Sequence, residues 1–139
     1  ADPNVRGAGR CTALMLAVRG QDSSLCGLLL DSRADPDLGD EGLGDTPLVA
    51  AISSSPDLVP LLLSAKARPA LARGDGVTPL AAALRCNIDL VTQLLDAGAL
   101  VNTMCPGGKS AVEVALQHGE ADTVRELLSR GARLPGLTW

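Results

Sequence analysis

The stretch that decides the fold is Gly76-Val77-Thr78-Pro79-Leu80, because its central phrase returns at a nearly fixed interval along the chain. Thr46-Pro47-Leu48 is an earlier copy, and looser copies are Thr12-Ala13-Leu14 and Ser110-Ala111-Val112. The copies begin 32 to 34 residues apart. A period in this range indicates a stacked repeat architecture, in which each unit contacts only its neighbours.

Two further markers keep the same interval. Each phrase is followed by a pair of leucines and then by an alanine. The pairs are Leu29-Leu30, Leu62-Leu63, Leu94-Leu95 and Leu127-Leu128, and the alanines are Ala34, Ala67, Ala99 and Ala132. Three markers at one period predict a single domain over residues 1–139, built from about four units at 7–39, 40–72, 73–104 and 105–139.

Each unit is predicted to be a short helix, a tight turn, a longer helix and a projecting turn. In the third unit Thr78 can cap the first helix, Pro79 fits its first position, and Gly98 ends the second helix. We expect second helices near 22–31, 57–66, 89–97 and 121–130, with little or no β-sheet. Units two and three are one residue shorter before their leucine pair, which predicts a tighter turn between their helices.

Composition favours thin, closely packed helices and gives little support to catalysis. Hydrophobic residues make up 46% of the chain, but aromatic residues only 1%, with Trp139 the single tryptophan. His118 is the only histidine, and the four cysteines form no C-x-x-C pair. We therefore expect no catalytic, cofactor or metal site, since such sites need several convergent ligands or an acid–base pair.

Charge and hydropathy also bear on partners and location. The net charge is −4, and a run from Asp31 to Asp45 holds six carboxylates against the single cation Arg33. Such a surface repels nucleic acid, although a solvated loop also explains the run. No apolar run approaches the roughly 20 residues of a membrane span. Unpaired cysteines favour reduced thiols, so we expect a cytoplasmic or nuclear protein without membrane insertion.

The repeated phrases resemble the ankyrin repeat family. That family begins each unit with G-x-T-P-L and ends the second helix with G-A-D-x-N. The matching residues are Gly44-Asp45-Thr46-Pro47-Leu48, Gly76-Val77-Thr78-Pro79-Leu80, Gly98-Ala99-Leu100-Val101-Asn102 and the variant Ala34-Asp35-Pro36-Asp37. The resemblance covers essentially the whole chain and implies an all-α ankyrin-repeat solenoid of about four stacked helix-turn-helix units with projecting turns.

The sequence at each end of the chain supports a separate prediction. Ala1-Asp2-Pro3-Asn4 matches the loop that follows a second helix, which predicts a fragment of a longer protein with further repeats upstream. The tail, residues 134–139, does not fit the start of a fifth unit, and we expect it to fold over the last one. The chain also departs from the family in having Met15, Val49, Ala81 and Glu113 where histidine is common.

The resemblance implies a non-enzymatic protein-interaction module that binds a partner protein or linear peptide on its concave face. The acidic run from Asp31 to Asp45 predicts that this partner carries basic residues. The candidate contacts are Arg10, Met15, Arg19, Leu43, Asp45, Ser53, Asp75, Val77, Arg85, Lys109 and Gln117. An alternative for Met15, and equally for Leu16 and Val49, is packing between repeats. We expect a monomer.

Two alternatives stay open at this point. The chain also suits a substrate-docking or regulatory domain of a multidomain enzyme, such as a ubiquitin ligase or kinase. Asn102 matches the position at which family members undergo asparaginyl hydroxylation, but asparagine is also an ordinary turn residue.

Overall fold

The structure, a computed structural model, describes residues 4, 5, 7, 11–39, 44–72, 74, 76–102, 104, 105 and 108–133. Within these residues the chain forms an all-α solenoid of antiparallel helix pairs. The helices are α1 Ala13–Arg19, α2 Ser23–Asp31, α3 Pro47–Ser54, α4 Val59–Ser64, α5 Pro79–Ala83, α6 Ile88–Asp96, α7 Ala111–Gln117 and α8 Ala121–Ser129. The candidate residues Arg10, Leu43 and Asp75 and the tail at 134–139 lie outside the described residues.

The first helix of each pair starts at the repeated threonine or serine, as the sequence predicts. The hydroxyl oxygens of Thr12, Thr46, Thr78 and Ser110 each accept a hydrogen bond from the backbone N–H three residues later, at 3.1 to 3.3 Å. Each bond satisfies an N–H group that has no partner inside the helix. Pro47 and Pro79 take the first helical position, where a missing N–H costs nothing.

The second helices confirm the predicted positions to within one or two residues, except in the second pair. There the predicted helix 57–66 is divided into a 3₁₀ turn, Pro56–Leu58, and the short helix α4. Two prolines explain this division. Pro56 opens the 3₁₀ turn and Pro60 lies in the first turn of α4, where each tolerates its missing N–H.

The tighter turn predicted between the helices of the second and third pairs is confirmed. In the first and fourth pairs the extra residue is accommodated in the left-handed region, by Gln21 at φ 59° and Gly119 at φ 69°. The turns at 53–57 and 85–89 contain no residue with positive φ. One residue of chain length therefore decides whether the turn needs a left-handed conformation.

The second helices end in a left-handed residue at four equivalent positions, of which only two are glycine. Gly98 and Gly131 have φ of 106° and 93°, whereas Arg33 and Lys66 have φ of 72° and 71°. A side chain with a Cβ atom is strained in this region by roughly 1–2 kcal/mol. The first two pairs thus carry backbone strain that the last two avoid.

Replacing Lys66 with glycine should raise the free energy of unfolding by about 0.5–1 kcal/mol, because relief of the strain exceeds the added entropy of the unfolded chain. The reverse change, Gly98→Ala, should lower it by about 1 kcal/mol, since no atom crowds that site and only the backbone is strained. Urea unfolding of both variants measures the difference. A loss of stability in Lys66→Gly would contradict the left-handed assignment at that residue.

The core runs continuously along the stack. Consecutive pairs pack through α1 on α3, α3 on α5, and α6 on α8. Small residues lie where the first helices pack on one another: Ala17, Ala51, Ala83 and Ala115 are all buried. Leu80 and Leu94 are buried as well. Aliphatic residues and alanine thus fill the space between helices almost alone.

The turn between the third and fourth pairs is a short β-hairpin. Strand β1, Met104–Cys105, pairs antiparallel with β2, Lys109–Ser110, so that Cys105 lies opposite Lys109. Gly108, between the strands, has φ of 78°. The strand pair leads directly into α7, so it fixes where the turn projects relative to the first helix.

Candidate functional site

Four polar side chains at equivalent positions form a row across the first helices. Arg19 ends α1, Ser53 lies in the last turn of α3, Arg85 follows α5, and Gln117 ends α7. All four are exposed, as the sequence predicts. Because α1 packs on α3 and α3 on α5, the first three lie on consecutive helices. We call these four residues the polar row.

The residues that lie four positions before each member of the polar row are mostly buried. Met15 is 0% exposed, and Val49 and Ala81 are also buried; only Glu113 keeps partial exposure. Met15 belongs to the core cluster, so the expectation that it contacts a partner is corrected. The position lies between neighbouring first helices, and an apolar side chain there gains more from packing than from the surface. Leu16, the next residue, is exposed instead.

Two of the candidate residues neutralise each other. The Arg19 Nη2 atom lies 3.5 Å from Asp45 Oδ2, and Arg19 Nη1 donates to the Cys11 sulfur at 3.2 Å. Asp45 Oδ1 accepts the N–H of Thr46 at 3.0 Å, and its side chain is only 13% exposed. This carboxylate therefore holds α1 to the start of α3, and it offers little charge to a partner.

The other described candidates differ in their access to solvent. Arg85 and Lys109 are exposed, and no described carboxylate forms an ion pair with either. Val77 is half-buried and packs against the core cluster. Arg85 is thus the cation of the polar row that can meet an incoming negative or carbonyl-rich group.

The acidic run predicted as an electronegative surface is partly structural. Asp37 Oδ1 accepts the N–H of Arg68 at 2.8 Å, and its Oδ2 lies 3.5 Å from the Arg68 guanidinium. Asp35 Oδ1 accepts the N–H of Asp37 at 2.9 Å within the same turn. Asp40 and Glu41 lie outside the described residues. The contact between Asp37 and Arg68 could not be predicted from the sequence, because the two residues are 31 positions apart.

The same loop-to-loop hydrogen bond recurs at both ends of the stack. Asn4 Oδ1 accepts the N–H of Asp35 at 2.6 Å, and Asn102 Oδ1 accepts the N–H of Arg133 at 3.0 Å, each across 31 residues. The Asn102 side chain is exposed but is engaged in this bond. The amide therefore has a structural role in joining successive loops, and hydroxylation of Asn102 stays a prediction.

One of the three described thiols contacts the polar row, since the Cys11 sulfur accepts a hydrogen bond from Arg19. Cys11 and Cys26 are buried, and burial, together with the negative charge of Asp22, raises the pKa of the Cys26 thiol. Cys86 is exposed, and His118 is an exposed residue at the end of α7. Among the described residues, no group of three or more His, Cys, Asp or Glu is arranged to hold a metal ion.

In the described part of the chain, no helix is both long enough and apolar enough to cross a bilayer.

Comparison with protein families identifies the repeat. A family model described as "Ankyrin repeats (3 copies)" matches residues 55–135, and one described as "Ankyrin repeat" matches residues 10–41. The first match alone covers more than half of the 139 residues. No curated protein matches the chain.

Proposed function

Since this chain belongs to the ankyrin repeat family, whose members are generally protein–protein interaction modules, we propose that it binds an extended segment of a partner protein on its concave face. Domains of this family are typically non-catalytic. The observation that carries the proposal is the polar row, which exposes one side chain per helix pair at a single register. A partner backbone laid along the row would meet a hydrogen-bonding group at each step.

The rigidity of the scaffold supports this mode of binding. Hydroxyl caps and inter-loop hydrogen bonds position the first helices before any partner arrives. A preformed surface loses little conformational entropy on binding, so the flexible segment bears most of the ordering cost. Arg19 contributes as a fixed group, because Asp45 and Cys11 already hold its guanidinium.

Charge suggests the chemistry of the segment. Arg85 is exposed and favours a carboxylate or a run of backbone carbonyls opposite the third helix pair. The expectation that the partner segment carries basic residues rests on the acidic turn before Thr46. Asp45 contributes little to it because Arg19 already neutralises that carboxylate. We therefore propose that Arg85 determines the orientation of the bound segment more strongly than the acidic turn does.

The test uses linear peptides selected from a displayed random library on the intact protein. Arg85→Glu should weaken a selected peptide about three- to fivefold and reduce the dependence of its Kd on salt, as expected for an exposed charge contact. Titration at two salt concentrations measures both effects.

Arg125→Glu is the matched control for this experiment. It makes the same change of charge on the second helix α8, where Arg125 is 78% exposed and pairs only with the exposed Asp122 among the described residues. Peptide affinity should be unchanged in this variant. An equal loss in both variants, or no loss in Arg85→Glu, would place the binding surface elsewhere.

A further inference from the structure

A groove of about 430 Å³ lies inside the stack, between the turns of the third and fourth helix pairs, and we call it the turn groove. Its wall from the third pair is formed by Cys86, Asn87 and Ile88, and its wall from the fourth pair by residues 119–123. Two members of the polar row adjoin it in the sequence. Arg85 directly precedes the first wall, and Gln117 comes two positions before the second. A segment laid along the polar row would therefore cross the mouth of the groove.

The first two junctions between helix pairs are bridged at this end of the helices. Ser55 Oγ donates to the Val18 carbonyl oxygen at 3.1 Å. The Cys86 thiol lies 3.9 Å from the Ile52 carbonyl oxygen, in the same sense. Val18 and Ile52 hold the same place in the repeat, directly before a member of the polar row. At both junctions a donor from the next pair thus reaches that carbonyl.

The third junction has no such bridge. Leu84 holds the place of Val18 and Ile52, and no described residue donates a hydrogen bond to its carbonyl oxygen. Glu120 holds the place of Ser55, since each comes seven residues before its leucine pair, and an ionised carboxylate cannot donate. Because the equivalent carbonyls face the turn of the next pair, we place that of Leu84 at the inner end of the turn groove.

The groups around the turn groove suit a long basic side chain. Ile88 and Ala121 give it apolar walls. Glu120 is exposed and its Oε2 accepts the Thr123 hydroxyl at 3.0 Å, which leaves Oε1 for a ligand. The Leu84 carbonyl is a second acceptor. Lysine and arginine lay an apolar stem along such walls and donate from a charged end, so both features of the groove are used.

An acidic side chain is disfavoured at the same place. Glu120 and Asp122 lie at the start of α8, where their negative charge already complements the helix dipole. Asp122 is 82% exposed and pairs with Arg125 at 3.2 Å, so it adds little attraction for a cation. A second anion would still meet the charge of Glu120. The acidic or carbonyl-rich part of a bound segment is therefore left to Arg85.

We propose that the turn groove binds one lysine or arginine side chain of the partner segment. The inference rests on the proposed function and names the residue type that the same surface selects. The segment places a carboxylate or carbonyl opposite Arg85 and its basic residue on the side toward Gln117. The preference for a basic residue thereby moves from the acidic turn before Thr46 to the third junction.

Peptides selected from a displayed random library on the intact protein test this proposal, and they should share a lysine or arginine at one fixed position. Replacing that residue by methionine keeps an apolar stem and removes the charge, which should weaken binding about two- to fivefold. Glu120→Gln keeps an acceptor for Thr123 and should weaken the basic peptide by the same factor. It should cause no further loss for the methionine peptide, because the two changes remove one contact. Titration gives the four Kd values.

Asp57→Asn is the matched control, because it removes an exposed carboxylate from the turn of the second pair and leaves the turn groove intact. The Kd of the basic peptide should be unchanged in this variant. Ala121→Leu is a second groove variant that decides the outcome if Glu120→Gln fails to fold. Its larger side chain fills the groove, so it should weaken the basic peptide by at least as much.

The outcomes separate this proposal from the proposed function. Loss of affinity in Arg85→Glu, with none in Glu120→Gln and Ala121→Leu, would overturn the basic-residue site and leave peptide binding on the polar row in place. Selected peptides with an acidic residue, or no common basic residue, would overturn it as well. If no peptide binds, or if Arg85→Glu and both groove variants bind normally, both proposals fail.

Discussion

Replacing Leu94 with alanine should lower the free energy of unfolding by about 2–5 kcal/mol. Leu94 is 0% exposed in α6, and the equivalent leucines Leu62 and Leu127 are equally buried. These side chains form one column through the second helices, so truncation leaves a cavity that rigid neighbours cannot fill. Whole domains are stabilised by only about 5–15 kcal/mol. A single change in this column should therefore remove a large share of the total stability.

Urea unfolding followed by circular dichroism measures this loss, and the native spectrum should be dominated by helix. Leu100→Ala is the matched control, because it makes the same truncation at a side chain that is 66% exposed. It should change stability by no more than about 0.5 kcal/mol. An unchanged midpoint for Leu94→Ala, or equal losses in the two variants, would contradict the position of Leu94 in the core.

Replacing Gly44 with alanine should cost about 2 kcal/mol or more, for two separate reasons. Gly44 has φ of 68°, a conformation that strains any residue with a Cβ atom by roughly 1–2 kcal/mol. A Cβ atom there would lie 2.8 Å from Gly74 Cα and 2.9 Å from Gly74 N. The Gly74 N–H donates to the Gly44 carbonyl at 3.0 Å, so the added carbon would separate two bonded turns. Overpacking of this kind adds its own penalty.

Gly76→Ala separates the two causes. Gly76 also has positive φ, at 91°, but a Cβ atom added there would meet no other atom within 4 Å, so only the backbone strain applies. Its loss should be about 1–2 kcal/mol, and the excess in Gly44→Ala measures the contact between the turns. Equal losses in the two variants would mean that the turns separate without cost.

Local chemistry explains why much of this fold could be predicted. The hydroxyl of Thr78 bonds an N–H three residues away, Pro79 fits the helix start, and Gly98 adopts the left-handed end. Each depends only on residues within a few positions along the chain. The predicted all-α solenoid and the ankyrin family were confirmed because these local signals recur with the period of the leucine pairs.

The candidate site was predicted less completely, as two neighbouring residues illustrate. Met15 and Leu16 are both apolar residues of α1, yet Met15 is buried and Leu16 is exposed. Arg19 and Asp45 were both expected to face a partner, but they contact each other across 26 residues. Neither result depends on local preference. The burial of Met15 and the contact between Arg19 and Asp45 both depend on how one helix pair packs on the next.

The sequence by itself determined the repeat, the helices, their caps and the leucine column, since these are set by short-range bonding and by a period. The tertiary structure alone decided which apolar residues remain exposed. Leu116 and Ile52 occupy the same place in the repeat, but a following helix pair covers Ile52, whereas among the described residues none covers Leu116. Whether a side chain is buried depends on which neighbouring element packs against it. The position of a residue within the repeat does not determine that.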